Sequence, residues 1–559
     1  MNKTIALLTL CACATSSALA VDLVGGTAYN SRTEFIPADR ANANLVAPEG
    51  AAEGTTLYYI GRGTTVSSIT TQEGYKYNIA NGIILDTATA GSTVGIQDNS
   101  DELLFANPSM DAAQSGTLFI KNSAGNYETV INSNNFILKQ TNNNYTRAVW
   151  LAIHTDATIN ANEVQVLSDI SATVAQTKVE LQGSTKLKIN ADKFTLGKNA
   201  LLDAYYNANL YLNAVSTING TMRFNGSLFV EKATTVANGG EVVFRSAANA
   251  SPSLSVSDGA TLTFANDGSL KLGGTSTASN DKAKTFDVSS DKVVFNNGNL
   301  YIQGGWTLNY KSASADDKNN VISMKTLSLG GVSSAGALTT GNLVVDKFKK
   351  IQAEYVTLNE GSSIQGYGGL EIKYGGALTL NEGTSITLTD VVAGASDRGR
   401  LLLNSNTVVN VEGTNTLTRL DTTGAAANLN LVVLGATIFN VNADVSFGAF
   451  ACTAYSTMEI NLLNSDAVFY VDHLEGDLYD NFKFIVNGYQ DNRIYIGGEN
   501  IKAYLDRFEL YDENGFEVQG SLVSNNGWLA ISTAVPEPAE WAMIFGAVAL
   551  GFAIYRRRK

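Results

Sequence analysis

Short strand-like segments recur in this sequence at intervals that fit a stacked β structure. Residues 357–364, Thr-Leu-Asn-Glu-Gly-Ser-Ser-Ile, recur as residues 379–386, Thr-Leu-Asn-Glu-Gly-Thr-Ser-Ile, at an offset of 22 residues. Ile159-Asn160-Ala161-Asn162 recurs as Ile189-Asn190-Ala191-Asp192, and Asn442-Ala443-Asp444 is a looser copy. Repeats of about 20–50 residues are typical of units that bury their apolar faces only by stacking. An offset of 22 residues is close to one coil of a parallel β-helix.

Apolar residues alternate with polar ones in short runs between these repeats, which is typical of strands. The alternating pairs are Val179 and Leu181, Leu187 and Ile189, Leu262 and Phe264, Leu270 and Leu272, and Leu378 and Leu380. Turn-type residues separate the runs at Asn238-Gly239-Gly240, Asp258-Gly259, Asp267-Gly268, Asn297-Gly298 and Gly375-Gly376. Pro, which cannot donate to a sheet ladder, is absent between Ser253 and Val535. The sequence predicts an all-β fold, a long right-handed parallel β-helix or solenoid, with a series of β-sandwiches as the alternative.

The composition changes after about Asp466, where Tyr, Phe and charged residues become dense. Asn514-Gly515 lies between two alternating apolar pairs, Phe508 with Leu510 and Phe516 with Val518, which predicts a hairpin. We therefore expect irregular solenoid repeats over residues 21–465 and a β-rich cap over 466–533, since the last coil otherwise exposes an open edge. This layout resembles the passenger regions of autotransporter-like proteins.

Residues 1–20 have the pattern of a secretory signal peptide. Lys3 is the basic start, residues 5–14 are the apolar run, and Ala18-Leu19-Ala20 is the small-residue cleavage site. We expect export by the Sec machinery; a lipoprotein signal at Cys11 is the alternative. Cleavage leaves Cys452 as the one cysteine of the mature chain, where it is predicted to be a small buried residue rather than part of a disulfide.

The C-terminal segment 534–559 has three parts in a fixed order. A Pro-Glu-Pro motif comes first, a fifteen-residue uncharged stretch at 541–555 follows, and a basic end completes it. As a helix the stretch is about 22 Å long, slightly short of the bilayer core, and it predicts a single transmembrane helix with its basic end in the cytoplasm. The motif is Val535, Pro536, Glu537 and Pro538; the anchor residues are Trp541, Phe545, Val548, Leu550, Phe552 and Tyr555; the basic end is Arg556, Arg557, Arg558 and Lys559.

This tail resembles the PEP-CTERM sorting signals of bacterial envelope proteins. The resemblance implies that an exosortase-type membrane peptidase acts near Val535–Pro538. It also implies an inner-membrane-anchored precursor whose product reaches the outer membrane, the cell surface or the extracellular matrix. Tails of this kind are also catalogued with ice-binding proteins, a label that describes the tail alone. The alternative is an ordinary single-pass anchor.

The charge distribution excludes nucleic acid as a partner. The chain carries a net charge of −14, and without the signal peptide and the tail the body carries about −17, with no basic cluster. No P-loop, dinucleotide fingerprint or Gly-x-Ser-x-Gly motif is present, and no cofactor is predicted. Asp472, Glu475 and Asp477 are weak candidates for a calcium site, and a solvated acidic turn is the alternative.

These patterns predict a non-enzymatic structural or adhesion protein of the cell envelope, whose polar ladders contact extracellular polysaccharide or neighbouring proteins. The alternative is a polysaccharide lyase or glycosidase built on a β-helix. Acids clustered with basic residues in a groove would favour the enzyme, whereas a groove lined by Thr, Asn and Ser would favour binding. An ice- or surface-binding module would require flat, regular Thr rows, which these irregular repeats do not provide.

Overall fold

The computed structural model is nearly all β, with 63% of the residues that it describes in strands. It describes residues 20–27, 33–34, 41–61, 63–80, 82–87, 94–106, 117–121, 123, 128–140, 149–169, 176–245, 252–273, 284–314, 320–332, 337–390, 399–453, 456–518 and 520–532. The chain divides into two compact units, Met1–Thr263 and Phe264–Lys559. Both units are built mainly from parallel strands, and the fold is β-solenoid-like.

Unit 1 is a stack of short parallel strands. Its strands are β1 Val21–Val24, β2 Thr33–Glu34, β3 Ala41–Val46, β4 Thr56–Ile60, β5 Thr64–Thr71, β6 Lys76–Ala80, β7 Ile83–Leu85, β8 Val94–Gln97, β9 Glu102–Ala106, β10 Thr117–Ile120, β11 Thr129–Gln140, β12 Trp150–Ile153, β13 Ala157–Ser168, β14 Lys178–Leu181, β15 Lys186–Leu196, β16 Leu201–Ala204, β17 Asn209–Ile218, β18 Thr221–Phe224, β19 Ser227–Val230, β20 Thr234–Val236, β21 Glu241–Phe244 and β22 Ser253–Val256. β23, Leu262–Ala265, contains the boundary with unit 2.

Side chains of equal position stack into rows along unit 1. The predicted repeat of residues 159–162 at 189–192 is confirmed as one coil, because Ile159 pairs with Ile189 and Asn160 with Asn190. The apolar member of each pair points inward and is buried, while the polar member points outward, as strand alternation requires. One buried row is Leu118, Leu151, Val179, Leu202, Met222 and Val242. Backbone hydrogen bonds between coils hold these rows in register.

Unit 2 continues the same local construction. Its strands are β24 Ser269–Leu272, β25 Thr285–Ser289, β26 Val293–Ile302, β27 Trp306–Lys311, β28 Val321–Leu329, β29 Gly331–Val332, β30 Leu338–Thr339, β31 Gly341–Val345, β32 Lys350–Leu358, β33 Ser363–Tyr367, β34 Gly369–Leu380, β35 Thr384–Thr389, β36 Arg400–Leu403, β37 Thr407–Val411, β38 Asn415–Leu420, β39 Ala426–Asn428, β40 Asn430–Val433, β41 Thr437–Val441, β42 Val445–Cys452, β43 Thr457–Leu462, β44 Phe469–Leu474, β45 Lys483–Asn487, β46 Ile494–Ile496, β47 Phe508–Leu510, β48 Ser521–Asn525 and β49 Trp528–Ser532. A 3-10 helix, Glu499–Arg507, precedes β47.

The predicted repeat of residues 357–364 at 379–386 is also confirmed as one coil. Thr357 pairs with Thr379 between β32 and β34, and Ile364 pairs with Ile386 between β33 and β35. β33 and β35 belong to a separate seven-stranded sheet that also contains β25, β27, β31, β38 and β39. Each coil in this region therefore contributes strands to two sheets, with Leu358, Ile364, Leu380 and Ile386 buried. The β-sandwich alternative is wrong for the described residues, since sandwiches are antiparallel and these ladders are parallel.

Two of the predicted turns are bends inside strands. Asn297-Gly298 lies within β26 and Gly375-Gly376 within β34, and the ladder register shifts beside both. Asn297 and Gly375 have positive φ angles of 59° and 71°. A bulge and a tight turn can both use this backbone conformation. The Asn-Gly and Gly-Gly pairs alone therefore do not show whether a strand ends there or only bends.

The parallel ladders extend into the segment that the composition assigned to the cap. β44 pairs with β46 and β45 with β47 in parallel, as far as Leu510. Antiparallel strands follow in the hairpin of β48 and β49, whose Trp528 packs against Tyr495 at 5.1 Å. The extra aromatic residues there fill the core, as Phe482 and Phe484 do, so the change in composition marks the end of the solenoid. The predicted turn at Asn514-Gly515 is present, with Tyr511 bridging to Glu517.

The predictions for the two ends fall on residues outside the described part, except Ala20, which is exposed there. The segments 1–19 and 533–559, with the predicted helix 541–555, are not described. Within the described ranges no helix has the length and apolar character needed to span a bilayer.

Glu371 is a buried carboxylate that links three coils of unit 2. It accepts hydrogen bonds from Lys350, from Gln352 at 2.8 Å and from Asn404 at 2.8 Å. Burial raises the pKa of Glu371, but these donors outweigh it and hold the pKa below its ordinary value of 4.5. The ionised carboxylate therefore stabilises the fold above that pH, and the contribution is lost as the pH falls through the lowered pKa.

We predict that Glu371→Gln lowers the free energy of unfolding by about 1–3 kcal/mol at pH 7, because Lys350 loses its buried partner. The difference from wild type should shrink as the pH falls below the carboxyl pKa, where wild-type Glu371 is also neutral. Urea denaturation at pH 7 and at a series of progressively lower pH values measures this difference. Glu513→Gln, at an exposed turn, is the control; equal losses in the two variants would contradict the prediction.

Candidate functional site

Five amide side chains form a continuous hydrogen-bonded row across unit 1. The row, called here the amide row, is Gln97, Asn132, Asn160, Asn190 and Asn213, which occupy paired positions on successive coils. Each Nδ2 donates to the preceding amide oxygen, at 3.1 Å for Asn132 to Gln97, 2.8 Å for Asn160, 2.9 Å for Asn190 and 3.3 Å for Asn213. The spacing is that of neighbouring parallel strands, about 4.8 Å.

The amide row retains hydrogen-bonding capacity toward solvent. An Asn side chain has two N–H donors and an oxygen with two lone pairs. Within the described residues, the bonds along the row use one donor and one acceptor of Asn132, Asn160 and Asn190. Each of these amides therefore presents one further donor and one further acceptor, repeated at the coil spacing.

Asp98 lies beside the start of the row, and its carboxylate accepts four hydrogen bonds from neighbouring residues. It is buried and accepts hydrogen bonds from the hydroxyls of Thr71, Ser100 and Ser133, each at 2.5 Å, and from the Ser100 backbone N–H at 3.1 Å. Three of these hydrogen bonds end on Oδ1 and one on Oδ2, so most of the acceptor positions of the carboxylate are used. Asp98 therefore orders the loop between β8 and β9 and is poorly placed to act as a general acid or base.

A stacked aromatic pair flanks the amide row. Tyr211 and Phe229 are paired residues on β17 and β19, with ring centroids 4.3 Å apart and an interplanar angle of 3°. Tyr211 precedes Asn213 by two residues, so both point outward from the same strand about 7 Å apart. Both rings are partly exposed. They provide flat apolar surface beside a line of hydrogen-bonding groups.

A groove of about 530 Å³ follows the amide row. Its lining is Glu73, Gln97, Asp98, Asn99, Asn132, Ser133, Asn134, Asn160, Ala161, Asn162 and Asn190. Uncharged amides and hydroxyls dominate this surface, and of its two carboxylates Asp98 is engaged and Glu73 is exposed at the rim. The arrangement suits a polyhydroxylated ligand that both donates and accepts hydrogen bonds.

Unit 2 contains a second amide row with different neighbours. Asn410, Asn440, Asn461 and Asn487 stack in register, with N–H to oxygen distances of 2.8, 2.9 and 2.7 Å. The outward row two residues earlier is Val408, Ile438, Glu459 and Ile485, with no aromatic ring among its members. The second row therefore reproduces the ladder without the aromatic pair.

Two of the three acidic residues proposed for calcium, Asp472 and Asp477, contact residues of other segments. Asp472 lies 3.4 Å from the Asn428 amide, and Asp477 accepts a hydrogen bond from the Tyr504 hydroxyl at 3.0 Å. Glu475 also has an interaction partner. Across the described ranges no cluster of three His, Cys, Asp or Glu residues suits a metal ion.

The sorting residues lie outside the described part of the chain, so the geometry concerns the body alone. Comparison with protein-family models, curated proteins and solved structures gives no match to this chain.

Sequence reasoning found part of the groove and missed the rest. Asn160 and Asn190 occupy the same position in the two copies of one repeat, which is why they stack. Gln97, Asn132 and the Tyr211–Phe229 pair were missed. The last pair had a usable signal, since Asn-Leu-Tyr-Leu at 209–212 and Ser-Leu-Phe-Val at 227–230 share the same alternation of apolar residues.

We predict that Asn160→Ala and Asn440→Ala destabilise the protein similarly, by about 1–2 kcal/mol each, because each removes two ladder hydrogen bonds of about 0.5–1.5 kcal/mol. Thermal or urea unfolding of the full chain measures the loss. A neutral effect of Asn160→Ala would show that the amide row contributes nothing to stability.

Proposed function

We propose that the protein is an exported structural or adhesion protein of the bacterial cell envelope whose amide groove binds neutral extracellular polysaccharide. The amide row beside Tyr211 and Phe229 carries this proposal. Sugar hydroxyls match amides that donate and accept at a regular spacing, and the flat C–H face of a pyranose ring matches an aromatic ring. The body is a right-handed solenoid that displays this surface away from the membrane.

The tail directs the protein to its location. The precursor is exported by the Sec machinery and held in the inner membrane by a helix at 541–555. An exosortase-type peptidase acts at Val535–Pro538, and the body reaches the outer membrane, the cell surface or the matrix. The tripartite order of motif, apolar stretch and basic end supports this route.

Binding without cleavage agrees better with the groove than glycoside hydrolysis does. Hydrolysis uses two carboxyl groups on opposite sides of the bond, one of them protonated. At the groove, Asp98 is buried and accepts hydrogen bonds from three hydroxyl groups, and Glu73 lies at the exposed rim. A regular line of amides instead supplies many weak, equivalent contacts, which suits adhesion to a repeating polymer.

We predict that Asn160→Ala weakens retention of the full chain in affinity electrophoresis through gels containing a neutral glucan by about fivefold, because one ligand-facing amide is lost. Tyr211→Ala should weaken it further, since a stacking surface is removed.

Asn440→Ala is the matched control, because it breaks an equivalent ladder beside a row without aromatic rings. Its binding should equal that of the wild type even though its stability falls. Equal loss of binding in Asn160→Ala and Asn440→Ala would assign the effect to folding and contradict the groove proposal.

For the tail, we predict that Pro536→Ala combined with Pro538→Ala abolishes processing. Intact mass and cell fractionation in the native host should give a wild-type product that lacks the residues beyond the motif and lies outside the inner membrane. The double variant should remain full length in the inner membrane. If both proteins keep the tail there, residues 541–555 form a plain anchor and the exosortase route is wrong.

A further inference from the structure

Two tyrosines of unit 2 stack directly on one another across neighbouring coils. Tyr470 in β44 and Tyr495 in β46 are paired residues of a parallel ladder. Their ring centroids are 4.3 Å apart, and the interplanar angle is 4°. Both side chains point outward, between buried neighbours on their strands, and both are partly exposed. The register therefore holds two phenol rings in contact at the surface of the solenoid.

The other stacked pairs that contain tyrosine, within the described part of the chain, lack one of these properties. Tyr211 and Phe229 have the same centroid distance of 4.3 Å, but only one of them is a phenol. Tyr59 and Tyr77 are both phenols, but their centroids are 6.0 Å apart and both side chains are buried. The hydroxyls of that buried pair donate to backbone carbonyl oxygens. The pair in β44 and β46 is therefore the one that combines two phenols, close contact and exposure.

Asp472 places a proton acceptor beside this pair. It follows Tyr470 by two residues on β44, so both side chains lie on the same side of the strand, and the Tyr470 hydroxyl donates a hydrogen bond to the carboxylate. Burial, followed by the charge of Asp472, raises the pKa of Tyr470 to about 12. Tyr470 is therefore a neutral phenol near pH 7, and removal of one electron from its ring must also release the hydroxyl proton. The carboxylate is in position to take this proton.

We propose that Tyr470 and Tyr495 form an oxidative cross-linking site, at which hydrogen peroxide and a haem peroxidase join the two rings as dityrosine. Each phenol loses one electron and one proton and becomes a phenoxyl radical, and the Tyr470 proton passes to Asp472. The two radicals couple through a carbon–carbon bond between the ring positions ortho to their oxygens. The hydrogen on each of these carbons then leaves as a proton while the oxygen gains one, which restores both phenols. In total the pair loses two electrons and two protons, and one hydrogen peroxide accepts them and becomes two water molecules.

The cross-link fastens two of the last coils of the parallel ladder to each other. β44 and β46 lie just before the terminal hairpin, whose Trp528 packs against Tyr495. A bond between residues 470 and 495 closes one coil and restricts the unfolded chain, as a disulfide does. The mature chain is predicted to keep one cysteine, so an internal disulfide is not open to it. The inference rests on the proposed export for access to oxidants outside the cytoplasm, and it is independent of the amide groove.

The test treats the purified full chain with hydrogen peroxide and a haem peroxidase, and examines the product isolated from the native host in parallel. Trypsin cleaves after Lys483 and Arg493, between the two tyrosines, so only a cross-link keeps the peptides of residues 470 and 495 together. Mass spectrometry should find this joined species, lighter than the sum of the two peptides by two hydrogen atoms. The treated protein should also unfold at a higher urea concentration than the untreated protein.

Tyr470→Phe and Tyr495→Phe each remove one phenol and keep a ring in the stack, an arrangement that the Tyr211–Phe229 pair already shows. The fold should be unharmed, and the joined species should be lost completely in both variants. Tyr211→Phe is the matched control, because it removes the phenol of an equally spaced pair, and the yield should equal that of the wild type. Asp472→Asn should slow cross-linking by about tenfold or more; an unchanged rate would overturn the role given to this carboxylate.

The treated protein and the host product test different parts of the inference. The joined species in both supports a site that is used in the envelope. Its absence from the treated protein, coupling of Tyr495 to Trp528 instead, or an undiminished yield in Tyr470→Phe overturns the site. The joined species in the treated protein but not in a host product found outside the inner membrane overturns its use in the envelope. A host product retained in the inner membrane contradicts the export route, and the treated protein then still decides whether the pair can be joined.

Discussion

Parallel pairing in register between successive coils is the interaction on which the rest of this structure depends. Because the backbone hydrogen bonds of each coil go to its neighbours, the position of every side chain is set relative to the equivalent side chain one coil away. Inside, this places Leu358 against Leu380 and Ile159 against Ile189, so burial is shared by neighbouring coils. Outside, the same register turns a single Asn into a row, since each amide meets another at the strand spacing. The in-register pairing of parallel strands therefore produces both the buried apolar rows and the outward polar rows.

The sequence allowed the stacked β fold to be predicted because its clearest repeats coincide with coil lengths. The offsets between the repeated segments are the observed register offsets at Thr357–Thr379 and Ile159–Ile189. Local turn chemistry was less informative. Asn297 and Gly375 have positive φ angles, which occur in bulges as well as in turns. A bulge is recognised only because strand pairing continues on both sides of it. The change in composition after Asp466 has a related physical cause, since aromatic density increases where large residues such as Phe484 fill the last coils.

The outward cluster of Glu180, Asp203 and Arg245 could not be predicted, because its members are separated by coils of unequal length. Glu180 pairs with Asp203 on the next coil, but the cation that holds Asp203 is Arg245, which lies two coils further along the stack. No constant spacing connects these positions. The run of acids at 472–480 shows the opposite case, in which residues close together in sequence make separate contacts. Asp477 and Asp480 are near each other in sequence, yet each contacts a residue of a later segment, Tyr504 and Arg507 respectively. In a solenoid, contacts between coils outweigh proximity along the chain.

Under the proposed function, the difference between the two amide rows indicates where binding specificity would reside. Asn160 and Asn440 make equivalent ladder bonds, so the ladder itself is a stabilising device common to both units. The difference lies in the adjacent row, which carries the aromatic residues Tyr211 and Phe229 in one unit and three aliphatic residues with Glu459 in the other. An amide ladder donates and accepts equally, which matches hydroxyl groups better than carboxylates, because a carboxylate only accepts. The body charge of about −17 also repels polyanions at longer range. The chemistry of the amides and the net charge therefore both disfavour acidic polymers. Selectivity for neutral glycans would then follow from the amides nearby and the net charge at a distance.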